Sequence, residues 1–239
     1  MKVMSDYLIP TDDQLDDTDY HKGIRAQSKE PILTADDREY TPTEVKNAIY
    51  DLKHNKAPGE DGITGDIYQR VYKQFPTLIY TLYKCLRKGC FPKTWKKVKI
   101  IPITKPGKEN STDVSKFRPI SLINVGGKVL EKLLINRIMH HIYSNNLMNP
   151  NQFGFIPKKS ATDAAIAVNE YLEEGMREGH IAILVNLDVK GAFDAALWPS
   201  LLNTLKESDC PKNLYNLAKS YFSGRIAISS SNSIQIEKK

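Results

Sequence analysis

Apolar residues recur along this chain at two spacings, and the switches between them mark out its elements. Val45, Ala48, Ile49 and Leu52 fall three or four apart, as one face of a helix requires. Ahead of them Thr41 suits the N-cap, Pro42 the first helical position, and Glu44 completes a capping box. Residues 67 to 90 are predicted helical, with Ile67, Val71, Phe75, Leu78, Ile79, Leu82 and Leu86 as the apolar stripe, broken or restarted at Pro76 and ended at Gly89. Trp95 to Ile103 then alternates basic and apolar residues, the mark of a half-buried strand with a positive outer edge. Phe117 to Ile123 is a second strand, and the basic loop 104–116 joins the two as a hairpin. Gly126-Gly127 opens a long helix, Lys128 to Ser144, with Val129, Leu130, Leu133, Leu134, Ile138 and Ile142 inward and Lys128, Lys132, Arg137 and two histidines on the other side. Further helices are expected at 160–178, from Trp198-Pro199, and over 213–222, and Ile226-Ala227-Ile228 answers Ile234-Gln235-Ile236 as a hairpin. Residues 1–40 are rich in Asp and show no sustained periodicity, which predicts a solvated arm or linker. No internal repeat is visible.

The run Ile181-Ala-Ile-Leu-Val-Asn-Leu-Asp188 has the length and apolarity of a buried strand, with one carboxylate at its end and a second, Asp194, beyond a turn. A carboxylate so mounted suits Mg²⁺, a hard cation that takes one or two protein carboxylates together with water and substrate phosphates. An Asp at a strand end can equally cap the helix that follows. The run alone does not choose between them.

Charge narrows the partners. Residues 1–61 carry 14 acidic and 8 basic side chains, and residues 62–239 carry 14 acidic and 26 basic ones, so the chain's formal +6 conceals a strongly basic remainder suited to phosphates. Within it, Lys105, Lys108, Lys116 and Arg118 lie on the predicted hairpin, where Arg118 can fork onto triphosphate oxygens and Lys105 can act as a point charge. Phe153 and Phe155 stand beside Lys158-Lys159; they can support bases and phosphates or anchor a core. Cys85, Cys90 and Cys210 have neither C-x-x-C spacing nor neighbouring histidines, so they read as reduced, partly buried thiols rather than a zinc site or a disulfide framework. No apolar run approaches membrane-spanning length and the N-terminus has no secretory pattern, so an intracellular protein without a membrane partner is expected.

Four blocks, in order, resemble the reverse transcriptase domain of non-LTR (LINE-type) retrotransposons. Asn55-Lys-Ala-Pro-Gly-Glu-Asp-Gly-Ile63 is similar to the family's K-A-P-G-x-D-G-I, Phe117-Arg-Pro-Ile-Ser-Leu122 to its Y/F-R-P-I-S-L, Gln152-Phe-Gly-Phe155 to its Q-x-G-F, and Leu187-Asp-Val-Lys-Gly-Ala-Phe-Asp194 to its D-h-x-x-A-F-D. Gly191-Ala-Phe-Asp194 followed by Trp198-Pro199 resembles the target-site-specific clade. Ile156, Lys158 and Ala161 depart from the residues usual after the third block.

The resemblance implies an α/β (α+β) right-hand polymerase fold: an acidic arm over 1–40, fingers over 41–122, the first part of the palm over 123–198, and a return toward the fingers over 199–239. It implies an RNA-directed DNA polymerase, a nucleotidyltransferase using two Mg²⁺ ions, an RNA template, a DNA primer and dNTPs. Asp188 is then the catalytic residue and a metal ligand, with the Val189 carbonyl as a second ligand. Lys105, Arg118 and Phe193 bind the dNTP, the Phe193 ring leaving no room for a 2′-hydroxyl, and Gln152, Lys158 and Lys159 face nucleic acid. The P-Q-G and Y/F-x-D-D blocks and the thumb are not among the 239 residues, so the chain alone is expected to be inactive. The parent is expected to be nuclear, with an endonuclease upstream and the thumb downstream. A non-catalytic nucleic-acid-binding remnant and a group II intron maturase-like protein are the alternatives.

Overall fold

The computed structural model describes residues 14–109, 113–189, 192, 196–231 and 234–238. They form helices with one small sheet, an α/β chain, in two compact units: residues 1–141 with 194–239, and residues 142–193. Among the described residues no helix is long and apolar enough to cross a membrane.

The first unit begins where the sequence predicts a solvated arm, and the structure corrects that reading. Asp19–Lys29 is a helix, α1, capped by Thr18. Polar contacts hold it: Asn203 Nδ2 donates to the Ile24 carbonyl at 3.0 Å, and the Tyr215 hydroxyl donates to the Ser28 carbonyl at 3.1 Å. Beyond it Ile32 and Tyr40 enter the core. Apolar periodicity could not reveal a helix attached mainly through backbone carbonyls. Helix α2, Pro42–Tyr50, has the expected capping box, Glu44 N–H donating to Thr41 Oγ1 at 3.2 Å and Thr41 N–H to Glu44 Oε2 at 2.7 Å. Val45, Ala48 and Ile49 are buried as expected.

The next helical stretch breaks at Phe75, before Pro76, into α3 (Gly65–Gln74) and α4 (Pro76–Leu82), followed by the short α5 (Cys85–Lys88). Its predicted stripe is largely on the wrong side. Ile67, Val71, Phe75, Leu78 and Leu82 are exposed, whereas Tyr68, Tyr72 and Tyr83 are buried alongside Ile79 and Leu86. Both stripes fit helical spacing, and the tyrosine stripe fills the core because its hydroxyls find partners. The Tyr68 and Tyr83 hydroxyls share a hydrogen bond at 2.6 Å, and Tyr83 reaches the Gly126 carbonyl at 3.4 Å.

Strands β1 (Lys97–Thr104) and β2 (Phe117–Ile123) form the predicted antiparallel hairpin, with Val98 opposite Ile123 and Thr104 opposite Phe117. Helix α6, Val125–Ser144, starts before the glycine pair, and Gly126 sits directly against the Trp95 ring, where a Cβ would lie 2.5 Å from it. Val129, Leu130, Leu133 and Leu134 are buried. So, against expectation, is Arg137, paired with Asp37 of the 14–40 segment and Glu44 of α2. Helices α8 (Trp198–Glu207) and α9 (Lys212–Phe222) close the core with Leu202, Leu214, Tyr215 and Leu217. The final hairpin, β3 (Ile226–Ser231) and β4 (Ile234–Lys238), joins the first through a parallel pairing of Lys97–Ile100 with Ile226–Ser229, giving the sheet order β2-β1-β3-β4.

In the second unit α7, Ala161–Arg177, begins at a Ser160/Asp163 capping box. The run 181–189 does not form the predicted strand. It is extended without a ladder, and Ile181, Leu187 and Val189 are 93%, 87% and 69% exposed. A strand needs an edge to receive its N–H and C=O groups, and the described residues of this unit offer one long helix and no strand. Leu184 and Val185 instead line an open hollow with Ala165, Val168 and Leu172 of α7.

Candidate functional site

The β1–β2 hairpin gathers the basic candidates. Its ladder continues past the strands, the Lys105 N–H donating to the Lys116 carbonyl at 2.8 Å, and Ile103 pairs with Arg118. Because paired residues share a face and alternate residues return to it, Lys105, Lys116 and Arg118 project from the same side as Ile103 and Ile120. That side is open: Ile103 is 50% and Ile120 42% exposed, and Arg118 is exposed, while Val98, Ile100 and Ile123 on the opposite face are buried. The Lys105 ammonium bends back to donate to the Ser115 carbonyl at 2.8 Å. A phosphate at this face would meet the Arg118 guanidinium directly and would draw Lys105 off that carbonyl.

The turn-rich block 55–63 lies beside the same hairpin. Gly59 packs so tightly on the residue after β2 that a Cβ there would lie 2.4 Å from Asn124 Oδ1 and 2.6 Å from its backbone nitrogen. Asn124, buried, accepts from the Asp61 N–H at 3.4 Å and donates to the Thr94 carbonyl at 3.2 Å, tying the block to both ends of the hairpin. Sequence reasoning passed over Asn124, since neither periodicity nor charge marks a lone asparagine between a strand and a helix. Gly59→Ala is expected to cost about 1–3 kcal/mol through overpacking against fixed backbone, as a lowered urea midpoint with an unchanged m-value.

In the second unit Gln152, Lys158 and Lys159 share one loop. Gln152 Nε2 donates to the Gly154 carbonyl at 2.9 Å; Lys158 is exposed on left-handed backbone (φ 64°). Lys159 is more committed, its ammonium donating to the Pro150 carbonyl and lying 4.7 Å from the centre of the Phe153 ring. Phe155, for which a core role was one alternative, is 90% exposed.

Asp188 and Val189 are exposed at the end of the extended run. Phe193 and Asp194 lie outside the described residues. Among the described residues no three His, Cys, Asp or Glu side chains are placed to hold a metal ion; Asp188 and the Val189 carbonyl contribute two hard oxygen donors, the chemistry Mg²⁺ takes.

Comparison with known proteins bears on what this arrangement serves. The sequence profile of the family described as "Reverse transcriptase (RNA-dependent DNA polymerase)" matches residues 103–239. The chain is 34% identical over 183 residues to a Retrovirus-related Pol polyprotein from type-1 retrotransposable element R1 of Bradysia coprophila, covering 76% of this chain and 18% of the relative. It is 35% identical over 188 residues to the RNA-directed DNA polymerase from mobile element jockey of Drosophila melanogaster, covering 77% and 20%. A putative 115 kDa protein in type-1 retrotransposable element R1DM of the same fly is 32% identical over 217 residues, covering 89% and 20%. The chain thus spans about a fifth of the length of these relatives. The profile covers more than half of the chain, β2 and the Asp188 run included, and the relatives agree with it: the chain belongs to the reverse transcriptase family, on the branch carried by non-LTR retrotransposons.

Proposed function

We propose that this chain is the nucleotide-handling part of an RNA-directed DNA polymerase that copies an RNA template from a DNA primer. The observation that carries the reading is the β1–β2 register, with Lys105, Lys116 and Arg118 on one open face. In this reading residues 41–122 are fingers, 123–198 the first part of the palm, and 199–239 a return toward the fingers. The parent works in the nucleus, adds an upstream endonuclease and a downstream thumb, and inserts at a preferred target.

The chemistry assigned to each residue follows from its type. Arg118 forks onto the triphosphate and Lys105 adds a point charge, so the nucleotide is oriented before reaction. Phe193 packs under the sugar and excludes the 2′-hydroxyl. Gln152, Lys158 and Lys159 contact the template and primer backbone. Asp188 and the Val189 carbonyl would hold Mg²⁺, which when bound would supply activation of the primer 3′-hydroxyl and stabilisation of the leaving pyrophosphate. The reverse transcriptase family generally uses divalent metal ions.

The test uses a longer chain of this kind that carries a Y/F-x-D-D block. There Arg118→Ala should lower kcat/KM for dNTP by roughly 10- to 150-fold, the worth of a charge-assisted hydrogen-bond pair. Affinity for a primer–template duplex should change little. A kcat/KM within twofold of the parent would remove the hairpin face from nucleotide binding.

A further inference from the structure

The short helix α5 ends in a turn that carries a cysteine at each of its two closing positions. Gly89 takes left-handed backbone (φ 54°, ψ 33°), its N–H donates to the Leu86 carbonyl at 2.9 Å, and the Cys90 N–H donates to the Cys85 carbonyl at 3.4 Å. These are the two hydrogen bonds of a Schellman turn, and Cys85 and Cys90 occupy the two positions whose side chains meet across it. Those positions are ordinarily filled by an apolar pair. Here both are thiols. The turn is held from outside as well, since a Cβ on Gly89 would lie 2.7 Å from Asn216 Cβ on α9.

The two differ in access. Cys90 is exposed, whereas Cys85 is half-buried against the core, its sulfur 3.2 Å from the Leu82 carbonyl. Burial pushes the Cys85 thiol up to about 11, and Cys90 acts on it in the same direction. Cys210 is buried and hydrogen-bonded through its backbone to the 14–40 segment, its carbonyl accepting from Thr34 Oγ1 at 2.7 Å.

We propose that Cys85 and Cys90 form a reversible redox site that a low-molecular-weight disulfide closes into an intramolecular bond. The Cys90 thiolate attacks one sulfur of the oxidant, and the first reduced thiol leaves as thiolate. Cys85 turns about χ1, gives up its proton and attacks the Cys90 sulfur, expelling the second reduced thiol. Two protein thiols are oxidised and one external disulfide becomes two thiols. The closed turn leads straight into Phe91, which is fully buried and donates its N–H to Ser220 Oγ at 2.9 Å, and so into β1. The site sits where the helical core hands the chain to the hairpin.

The test is to treat the reduced full chain with glutathione disulfide, then alkylate it under denaturing conditions and map the thiols by mass spectrometry. Wild type should lose two of its three thiols and the mass of two hydrogens, retain no glutathione, and yield a Cys85–Cys90 peptide. Cys85→Ser should hold glutathione on Cys90, and Cys90→Ser should react at least 10-fold more slowly. Wild-type chain that keeps glutathione on Cys90, keeps three thiols, or bonds through Cys210 overturns the proposal, and because that arm uses the unaltered chain, no folding defect can obscure it.

Discussion

The double replacement of Asp37 by Asn and Glu44 by Gln should destabilise the chain by about 3–5 kcal/mol at neutral pH, the largest single loss expected from two isosteric changes. Arg137 is the reason. Its side chain is only 8% exposed, and its guanidinium meets Glu44 through Nε at 2.5 Å and Nη2 at 2.8 Å. Nη1 donates to Asp37 at 2.6 Å, the Arg38 and Glu39 carbonyls accept at 3.3 and 3.2 Å, and the Tyr40 ring lies 5.5 Å away. With both carboxylates gone, a buried cation keeps only carbonyls. Adding Arg137→Met to the double variant should restore part of the loss, because an apolar side chain of similar length needs no counter-charge. Chemical unfolding of the three chains decides it: a triple variant no more stable than the double would show that packing, not charge pairing, holds this junction.

The same network fixes an acid limit. Arg137 hydrogen bonds, opposed by partial burial and aided by the Thr41 donors, hold the Glu44 carboxyl down to about 2 from an ordinary 4.5. A depressed folded pKa means that Glu44 contributes stability fully above its unfolded value and loses it as pH falls from about 4.5 through about 2. Over that window Glu44→Gln should show a shallower fall in stability than wild type.

Arg137 also marks where sequence reasoning ended. It was read on the polar side of α6, correctly by spacing, yet Asp37, in the stretch read as a solvated arm, joins the capping-box residue Glu44 in pairing with it where it is buried. Local signals were legible: the Thr41 capping box, the Phe75/Pro76 break and the β1–β2 hairpin all depend on residues close in sequence. Long-range choices were not. Nothing in the spacing of 67–86 says that Tyr68, Tyr72 and Tyr83 outcompete Ile67, Val71 and Phe75 for the core, because that rests on the Tyr68–Tyr83 hydroxyl pair and the Gly126 carbonyl. The hairpin that carries Lys105 and Arg118 was legible because a hairpin with alternating residues fixes its own faces. The Asp188 strand was not, since a strand is completed by a neighbour that periodicity cannot name.

Asp188→Asn, in a longer chain of this kind carrying a Y/F-x-D-D block, should lower primer extension by about 10³-fold or more, roughly 4 kcal/mol of transition-state stabilisation. The amide keeps the shape of the carboxylate and loses the charge that a hard divalent cation requires. Its competitor is the helix-capping role, in which Asp188 would matter to stability rather than rate, and an Asn at the same place would cap nearly as well. Because Asp188 is exposed at the end of a run without a ladder, the substitution is expected to change stability by no more than about 0.5 kcal/mol. Extension rate, duplex affinity and melting temperature measured together separate the two roles: lost extension with the other two unchanged assigns Asp188 to the metal, and extension within a few-fold of the parent removes it from catalysis.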